Sequence, residues 1–327
     1  MDKKIEFWDP HFHIWDVREN TTTGQELAEL FAPNGDPVYA IHSYEKDCDT
    51  GDDDIEPLGG AWLEALSVCQ VGKTGPEYIK DCLAEYKWAA QQVRKSSRNY
   101  VLVPTAPLEE PAVGGLLAEL ASDPKVKGIR QIVNHQPDWP RNTHLGDLLD
   151  NPDWQRGYAE LQKHKLSFDL QLNPHQFTKA AALIKRHPEI PVIINHLGSP
   201  TLEDLTEKSD QFRAGIESLA ACENTAIKLS MLFYTAQDWD QHDVVMDAVW
   251  FVIDTFGEDR CFFATNYPVD IKFGWSGGRL FGAMRKLVEA RYGEAVLRKM
   301  FSGNATRIYR AGESFASRDH VSCPAGA

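Results

Sequence analysis

The stretch Asp9-Pro10-His11-Phe12-His13 ends an apolar run that begins at Ile5. Side chains alternate between the two faces of an extended strand, so His11 and His13 project to the same side. Pro10 donates no ladder hydrogen bond, which predicts that regular strand pairing fails there. Neutral imidazole is a common metal ligand and proton carrier, although a single histidine is more often ordinary packing. The stretch therefore predicts a first strand whose end supplies half of a metal site or proton-transfer site.

Beyond this strand, helical stretches and short apolar strands alternate along the chain. Seven further strands are predicted, at 66–71, 100–104, 126–133, 166–172, 191–196, 225–231 and 260–266. Helices are predicted between them, at 77–94, 113–121, 158–163, 176–187, 212–221 and 243–256. This alternation implies parallel strands with right-handed crossovers. The α/β pattern predicts a (β/α)8 TIM barrel, which usually takes roughly 250 residues plus insertions. A doubly wound sheet is the competing interpretation, but no G-x-G-x-x-G follows the first strand.

The predicted barrel occupies residues 1–310 as one domain, followed by a flexible tail at 311–327. Residues 17–60 form the main insertion. Because this insertion follows the first strand, it leaves from the catalytic face of a barrel and can act as a lid. Its acidic run at 47–54 loosely imitates a calcium loop. The spacing does not complete an EF-hand, so a solvated acidic loop is the better interpretation.

Composition limits the classes of partner. The formal net charge of −14 argues against nucleic acid and anionic membranes. The six cysteines form no C-x-x-C pair, which indicates reduced thiols in a cytoplasmic protein. The amino terminus lacks the apolar core of a signal peptide, and no apolar run approaches the length of a membrane span. A small molecule is the expected partner, and a homo-oligomer stays open.

Functional residues of a barrel lie at the carboxyl ends of its strands. The polar residues predicted at those ends are His11, His13, Gln70, Arg130, Gln171, His196, Lys228 and Asn266. Three histidines and two cations suit a metal ion that activates water, or a metal-free site for an anionic, carbonyl-containing substrate. Each residue also has a structural interpretation, such as a turn cap for His196 or a surface charge for Lys228. The shared placement therefore carries the prediction.

Several segments, in order from about Ile5 to Tyr309, resemble one known family. They are Asp9-Pro-His11-Phe-His13-Ile-Trp15-Asp16, Gly128-Ile-Arg130-Gln131, Phe168-Asp-Leu-Gln171, Asn195-His196-Leu-Gly198, Lys228-Leu-Ser230, Phe263-Ala-Thr-Asn266-Tyr-Pro268 and Gly303-Asn304-Ala305-Thr306. The chain is similar to the amidohydrolase-related (amidohydrolase 2) family, in its lactonase-like branch. The resemblance implies a barrel and a catalytic or metal-ligating set of His11, His13 and His196. It also implies that Arg130 grips substrate oxygens, and we assign Gln70, Gln171 and Lys228 to substrate binding with it.

The acid that the family carries after the eighth strand falls on Asn266. An amide has no charge and cannot take a proton, so Asn266 can orient water or substrate but cannot act as a base. Asp270, His196 and His13 are the alternative bases. A donor set of three histidines and an amide also lacks an anionic ligand. A divalent ion, zinc or manganese, is therefore a possible cofactor that the reaction need not require.

Three functions follow from this resemblance. The first is a lactonase-type hydrolase that opens a small anionic or sugar-derived lactone by histidine-assisted water attack. The branch includes lactonases that act on sugar lactones and on pyrone dicarboxylate. The second is a metal-dependent lyase that decarboxylates or hydrates an unsaturated dicarboxylic acid. The third is a catalytically retired barrel that binds a ligand, with Asn266 as the lesion.

Overall fold

The computed structural model describes residues 4–18, 37–49, 54–65, 74–137 and 145–312. Eight parallel strands, alternating with helices, form a (β/α)8 barrel, which confirms the predicted fold class. The barrel strands are β1 Ile5–Phe12, β2 Ile55–Leu63, β3 Asn99–Val103, β4 Gly128–Ile132, β5 Ser167–Gln171, β6 Val192–Ile194, β7 Thr225–Leu229 and β8 Cys261–Phe263. A short antiparallel pair, Trp15–Asp16 with Val38–Tyr39, lies outside the barrel ladder.

The barrel ladder runs in two parts. Strands β1, β2 and β3 pair in one sheet, and β4 to β8 pair in chain order in the other. Isolated parallel bridges join the two sheets, from Leu102 to Val126 and from Thr105 to Arg130 on one side, and from Phe12 to Tyr267 on the other. The strand ends therefore meet around a common interior, although the ladder is interrupted at both seams.

Helices cover the outside of the strands. They are α1 Ile41–Cys48, α2 Gly75–Val93, α3 Val113–Ala121, α4 Pro152–Glu160, α5 Phe177–Lys185, α6 Leu202–Leu205, α7 Ser209–Ala220, α8 Asp243–Phe256, α9 Val269–Lys272, α10 Gly277–Glu289, α11 Glu294–Arg298 and α12 Asn304–Ile308. Short 3-10 helices occur at Leu148–Asp150, Leu161–His164, Pro174–Gln176, His196–Gly198, Leu232–Tyr234 and Trp239–Gln241, and a π-helical turn occurs at Lys299–Gly303. The observed bounds of α3 and α8 equal the predicted ones, because both helices have a clear apolar period.

The second barrel strand was predicted at the wrong place. Sequence reasoning put it at 66–71, and this range lies outside the described residues. The strand that pairs with both β1 and β3 is instead Ile55–Leu63. Pro57, Gly59 and Gly60 interrupt its apolar pattern, so it was assigned to the insertion at 17–60. Residues 55–60 of the predicted insertion therefore belong to β2, which corrects its boundary. Of the predicted tail at 311–327, residues 313–327 lie outside the described residues.

Two buried clusters fill the barrel. The larger one lies between the strands and the surrounding helices. The smaller one includes Trp8, Val101, Ile193 and Phe262, which alternate along the strands with residues of the larger cluster, and it also includes Tyr309. Tyr309 follows α12 and packs against Trp8 with ring centroids 5.8 Å apart. This apolar layer lies inside the barrel beside the buried polar groups, since the Tyr309 hydroxyl contacts Asp169.

No helix in the described part of the chain has the length and apolarity needed to cross a membrane. The described cysteines, Cys48, Cys82, Cys222 and Cys261, are buried free thiols. They contribute to packing as small apolar side chains.

Candidate active site

Three histidines meet at the carboxyl ends of the barrel strands. His11 and His13 come from the end of β1, and their Nε2 atoms lie 3.1 Å apart. His196 directly follows the residue after β6, and its ring centroid lies 4.4 Å from that of His11. All three side chains are buried. The pairing register of β1 shifts between Asp9 and Phe12, as expected from Pro10, and both imidazoles still face the barrel interior.

Burial and neighbouring cations keep these imidazoles neutral. Burial is the main cause that lowers the pKa of His13 to about 3, and the Arg130 guanidinium adds to it. The pKa values of His11 and His196 are lowered well below 6.5, again mainly by burial. Lys228 and Arg130 lower both values further. Each ring therefore has one nitrogen lone pair at neutral pH.

Hydrogen bonds orient two of the rings. His13 Nδ1 lies 3.1 Å from the carbonyl oxygen of Leu63, which can only accept, so we assign the ring hydrogen to Nδ1. His196 Nδ1 lies 2.9 Å from the Ser230 hydroxyl. His196 itself has a φ of 56°, in the left-handed region. In both rings the hydrogen bond at Nδ1 fixes the orientation of the imidazole.

Two buried ion pairs lie close to the histidines. Arg130 Nη1 is 2.8 Å from Glu64 Oε1, and Lys228 Nζ is 2.5 Å from Asp169 Oδ1. Asn195 joins the pairs, because it accepts from Arg130 Nε at 3.0 Å and donates to Asp169 at 2.9 Å. Burial lowers the pKa of Lys228 to about 8, and Asp169 opposes this effect. Each cation thus has a carboxylate partner on a nearby strand or strand end.

Arg130 is largely committed to protein acceptors. Its guanidinium contacts the carboxylate and the carbonyl oxygen of Glu64, the amide of Asn195 and the amide oxygen of Gln171. A guanidinium has five N–H donors, so these four contacts leave at most one for a substrate. Gln171 is half-buried beside it. Gln70 was also assigned to substrate binding, and it lies outside the described residues.

Asn266 links two other predicted residues. Its Nδ2 donates to Asp270 Oδ2 at 2.7 Å, and a hydrogen bond with its side chain acts to raise the pKa of His13. Burial raises the pKa of the Asp270 carboxyl well above its usual range, and the charge of Asp9 adds to this. Asp270 consequently holds its proton to higher pH than an exposed carboxyl. The amide stands between this carboxyl and the His13 ring.

Sequence reasoning missed the acidic and hydroxyl partners of the site. Glu64 follows the true β2, and the misplaced second strand hid it. Asp169 and Ser230 were present in the quoted motifs and lie two positions from Gln171 and Lys228, so strand alternation could have found them. Asp9 accepts hydrogen bonds from Tyr44, from the Thr265 side chain and backbone, and from the His11 backbone.

The donor set does not fit a divalent metal ion as it stands. Tetrahedral zinc ligands about 2.05 Å from the ion stand roughly 3.3 Å apart, and the two Nε2 atoms of His11 and His13 are close to this spacing. However, no group of three or more histidine, cysteine or acidic side chains among the described residues is arranged to hold a metal. Lys228 Nζ also lies 3.2 Å from His11 Nδ1, where ligating histidines usually donate to an acceptor.

The chain is similar in sequence and in fold to known proteins. The family model described as Amidohydrolase matches residues 8–311. An uncharacterized protein of Sinorhizobium fredii is 28% identical over 325 residues, covering 92% of this chain and 97% of its own length. An L-fucono-1,5-lactonase of Burkholderia ambifaria is 25% identical over 309 residues, covering 92% and 94%. The crystal structure of a Burkholderia multivorans amidohydrolase with bound zinc has a similar fold, with a TM-score of 0.72. The two sequences are 19% identical, and the superposition covers 93% of this chain and 99% of the other. Since the family match spans nearly the whole chain, this protein belongs to the amidohydrolase family.

Proposed function

We propose that the chain is a hydrolase that opens a small lactone by histidine-assisted attack of water. The observation that carries the proposal is the convergence of three buried, neutral imidazoles at the carboxyl end of the barrel. A neutral imidazole can accept a proton from water at neutral pH. The similarity to an L-fucono-1,5-lactonase over most of both chains supports the same reaction class.

His196 is the proposed general base. In the proposed tautomer its Nδ1–H donates to the Ser230 hydroxyl oxygen, 2.9 Å away, which orients the ring and leaves the Nε2 lone pair for the reaction. In the proposed step, water attacks the lactone carbonyl carbon as its proton passes to Nε2. The acyl–oxygen bond then breaks, and the proton passes to the departing ring oxygen to give a hydroxy acid. The remaining N–H of Arg130 is the proposed donor to the carbonyl oxygen.

The charges of the site favour a sugar-derived lactone over a dicarboxylate. Glu64 neutralises Arg130, and Asp169 neutralises Lys228. Among the described site residues, no cation is therefore left without an acidic partner for a substrate carboxylate. Hydroxyl groups of a sugar lactone need hydrogen-bonding partners and not a net positive charge. We infer that a neutral sugar lactone suits this site better than a pyrone dicarboxylate.

A panel of sugar lactones and pyrone carboxylates, followed by proton release at neutral pH, tests this function. His196→Gln should lower kcat/KM by more than ~10²-fold, because it removes the proposed base. The matched control is His164→Gln, since His164 ends a 3-10 helix before β5 and lies toward the opposite end of the barrel. Absence of turnover across the panel, with and without zinc or manganese, would contradict the proposal, as would equal losses in the two variants.

A catalytically retired barrel is the second candidate, and Asn266 is the observation that favours it. Under that hypothesis the native protein binds lactones without turnover, and only Asn266→Asp gains activity. The new carboxyl would face Asp270 at the position where the amide nitrogen now lies, 2.7 Å from Oδ2. Two such carboxyls share one proton, so any gained activity should depend steeply on pH. The lyase hypothesis requires a tightly held metal ion, which elemental analysis of protein purified without chelator would detect.

A further inference from the structure

Lys228 is a buried cation that the proposed reaction does not use. It lies on β7 with no exposed side-chain surface, and its Nζ contacts only the interior of the barrel. Nζ is 3.2 Å from His11 Nδ1 and 2.5 Å from Asp169 Oδ1. An ammonium group has three donors and no acceptor. The contact with His11 therefore has one direction, from lysine to imidazole.

This direction determines the hydrogen position on His11. Because Nδ1 accepts from Lys228, a neutral His11 carries its hydrogen on Nε2. That N–H faces the Nε2 lone pair of His13 across 3.1 Å. His13 in turn donates from Nδ1 to the Leu63 carbonyl oxygen. The four groups form one hydrogen-bond chain in which every donor meets an acceptor.

Asp169 holds the lysine in this position. Its oxygens accept from the Tyr309 hydroxyl at 2.7 and 2.9 Å, from Asn195 Nδ2 at 2.9 Å and from Lys228. Tyr309 follows α12 and belongs to the smaller buried cluster, so the carboxylate is held by a residue outside the histidine cluster. These contacts fix the carboxylate in place, and the carboxylate holds the Lys228 ammonium beside it.

We propose that Lys228, positioned by Asp169, fixes His11 as the Nε2–H tautomer and so prevents the His11–His13 pair from binding a divalent metal ion. A ligating imidazole needs a lone pair on the nitrogen that faces the metal, and the hydrogen on His11 Nε2 occupies it. The ammonium charge, one ring away, also repels a cation. The inference concerns metal binding and tautomer, and it stands whether or not the protein opens lactones.

Zinc affinity of the metal-free protein, measured by competition with a chromophoric chelator at pH 7, tests the proposal. Lys228→Met keeps the side-chain volume and removes the donor and the charge. We expect zinc to bind at least ~10-fold more tightly, which is the lower range for changes in the partners of metal ligands. Adding His11→Ala to this variant should abolish the gain. Native zinc binding as tight as that of Lys228→Met would overturn the proposal.

A second measurement uses the native protein and does not depend on the variant folding. Nitrogen-15 NMR of labelled histidines at pH 7 distinguishes the two neutral tautomers. We expect His11 to carry its hydrogen on Nε2 and His13 to carry its hydrogen on Nδ1. Finding the hydrogen of His11 on Nδ1 would overturn the proposal directly. If Lys228→Met leaves Asp169 too poorly paired to fold, the combined variant Lys228→Met/Asp169→Asn removes both charges and gives the same zinc comparison.

Discussion

Truncation of Glu64 should be among the most destabilising single changes in the described part of the site. The Glu64 side chain is fully buried and that of Arg130 is 5% exposed, with 2.8 Å between Nη1 and Oε1. Removing one partner of a buried ion pair costs about 3–5 kcal/mol, because the other charge is left without compensation. Asn195 and Gln171 still accept from Arg130 in Glu64→Ala. We therefore expect the lower end, about 3 kcal/mol of the free energy of unfolding.

The same change predicts a measurable thermal shift. An unfolding entropy of about 2.1 cal/mol/K per residue gives roughly 0.7 kcal/mol/K for a chain of this length, so the melting temperature should fall by about 4 °C. Urea denaturation followed by circular dichroism gives the free energy independently. The matched control is Glu64→Gln, which keeps an acceptor and the side-chain volume and should lose less than Glu64→Ala.

A double variant separates the cost of an unpaired charge from the cost of lost packing. Arg130→Met/Glu64→Leu removes both charges, and apolar replacements of buried pairs are often neutral or stabilising. It should be more stable than Glu64→Ala alone. A loss below about 1 kcal/mol for Glu64→Ala would refute the reasoning, and so would a double variant that loses the sum of the two single changes.

Two further predictions concern a buried glycine and a buried acid. Gly157→Ala in α4 should destabilise the fold, since the new Cβ would lie 1.9 Å from the Leu108 carbonyl oxygen. A new Cβ in Gly114→Ala, in α3, would meet no atom within 4 Å, so this variant should be more stable by about 0.5–1 kcal/mol. Thermal melts of both variants check this, and equal shifts would contradict it. Burial raises the pKa of Asp9 to about 6, so the stability that this group contributes is fully present below about pH 4 and is lost as pH rises through about 6. The free energy of unfolding that Asp9 contributes should fall by about 2 kcal/mol between pH 4 and pH 7, and Asp9→Asn should remove that part of the decline. Urea denaturation at the two pH values measures it, and an unchanged decline would exclude Asp9 as its source.

The strands that sequence reasoning placed correctly have apolar runs that local patterning reveals. The second strand does not, for a tertiary reason. A Cβ on Gly59 would lie 2.0 Å from the Asn99 carbonyl oxygen, and a Cβ on Gly60 would lie 2.3 Å from that of Asp9. Both glycines are needed because the backbones of β1 and β3 approach β2 closely. Nothing local to the sequence indicates that approach, so the strand was read as part of a loop.

Some residues of the site could likewise be predicted from local sequence, and others depend on tertiary contacts. Alternation along one strand was enough to place His11 and His13 on one side, and the rule of strand ends added Arg130 and Lys228. The partners of these cations could not be assigned, because Glu64 and Asp169 come from other strands whose neighbours depend on barrel closure. Pairing also changes the chemistry, since it turns two expected substrate-binding cations into internally compensated groups.

Charge compensation explains how a cluster of bases can persist inside an acidic protein. The chain has a formal net charge of −14, yet burial and nearby cations lower the pKa values of all three histidines. Without Glu64 and Asp169, the same cations would lower these values further and attract anions into the barrel. With them, the imidazoles lie beside two neutral pairs and keep their lone pairs at neutral pH. A base of this kind is weak, so the proposed reaction needs an activated carbonyl, such as that of a strained lactone, and not an unactivated amide.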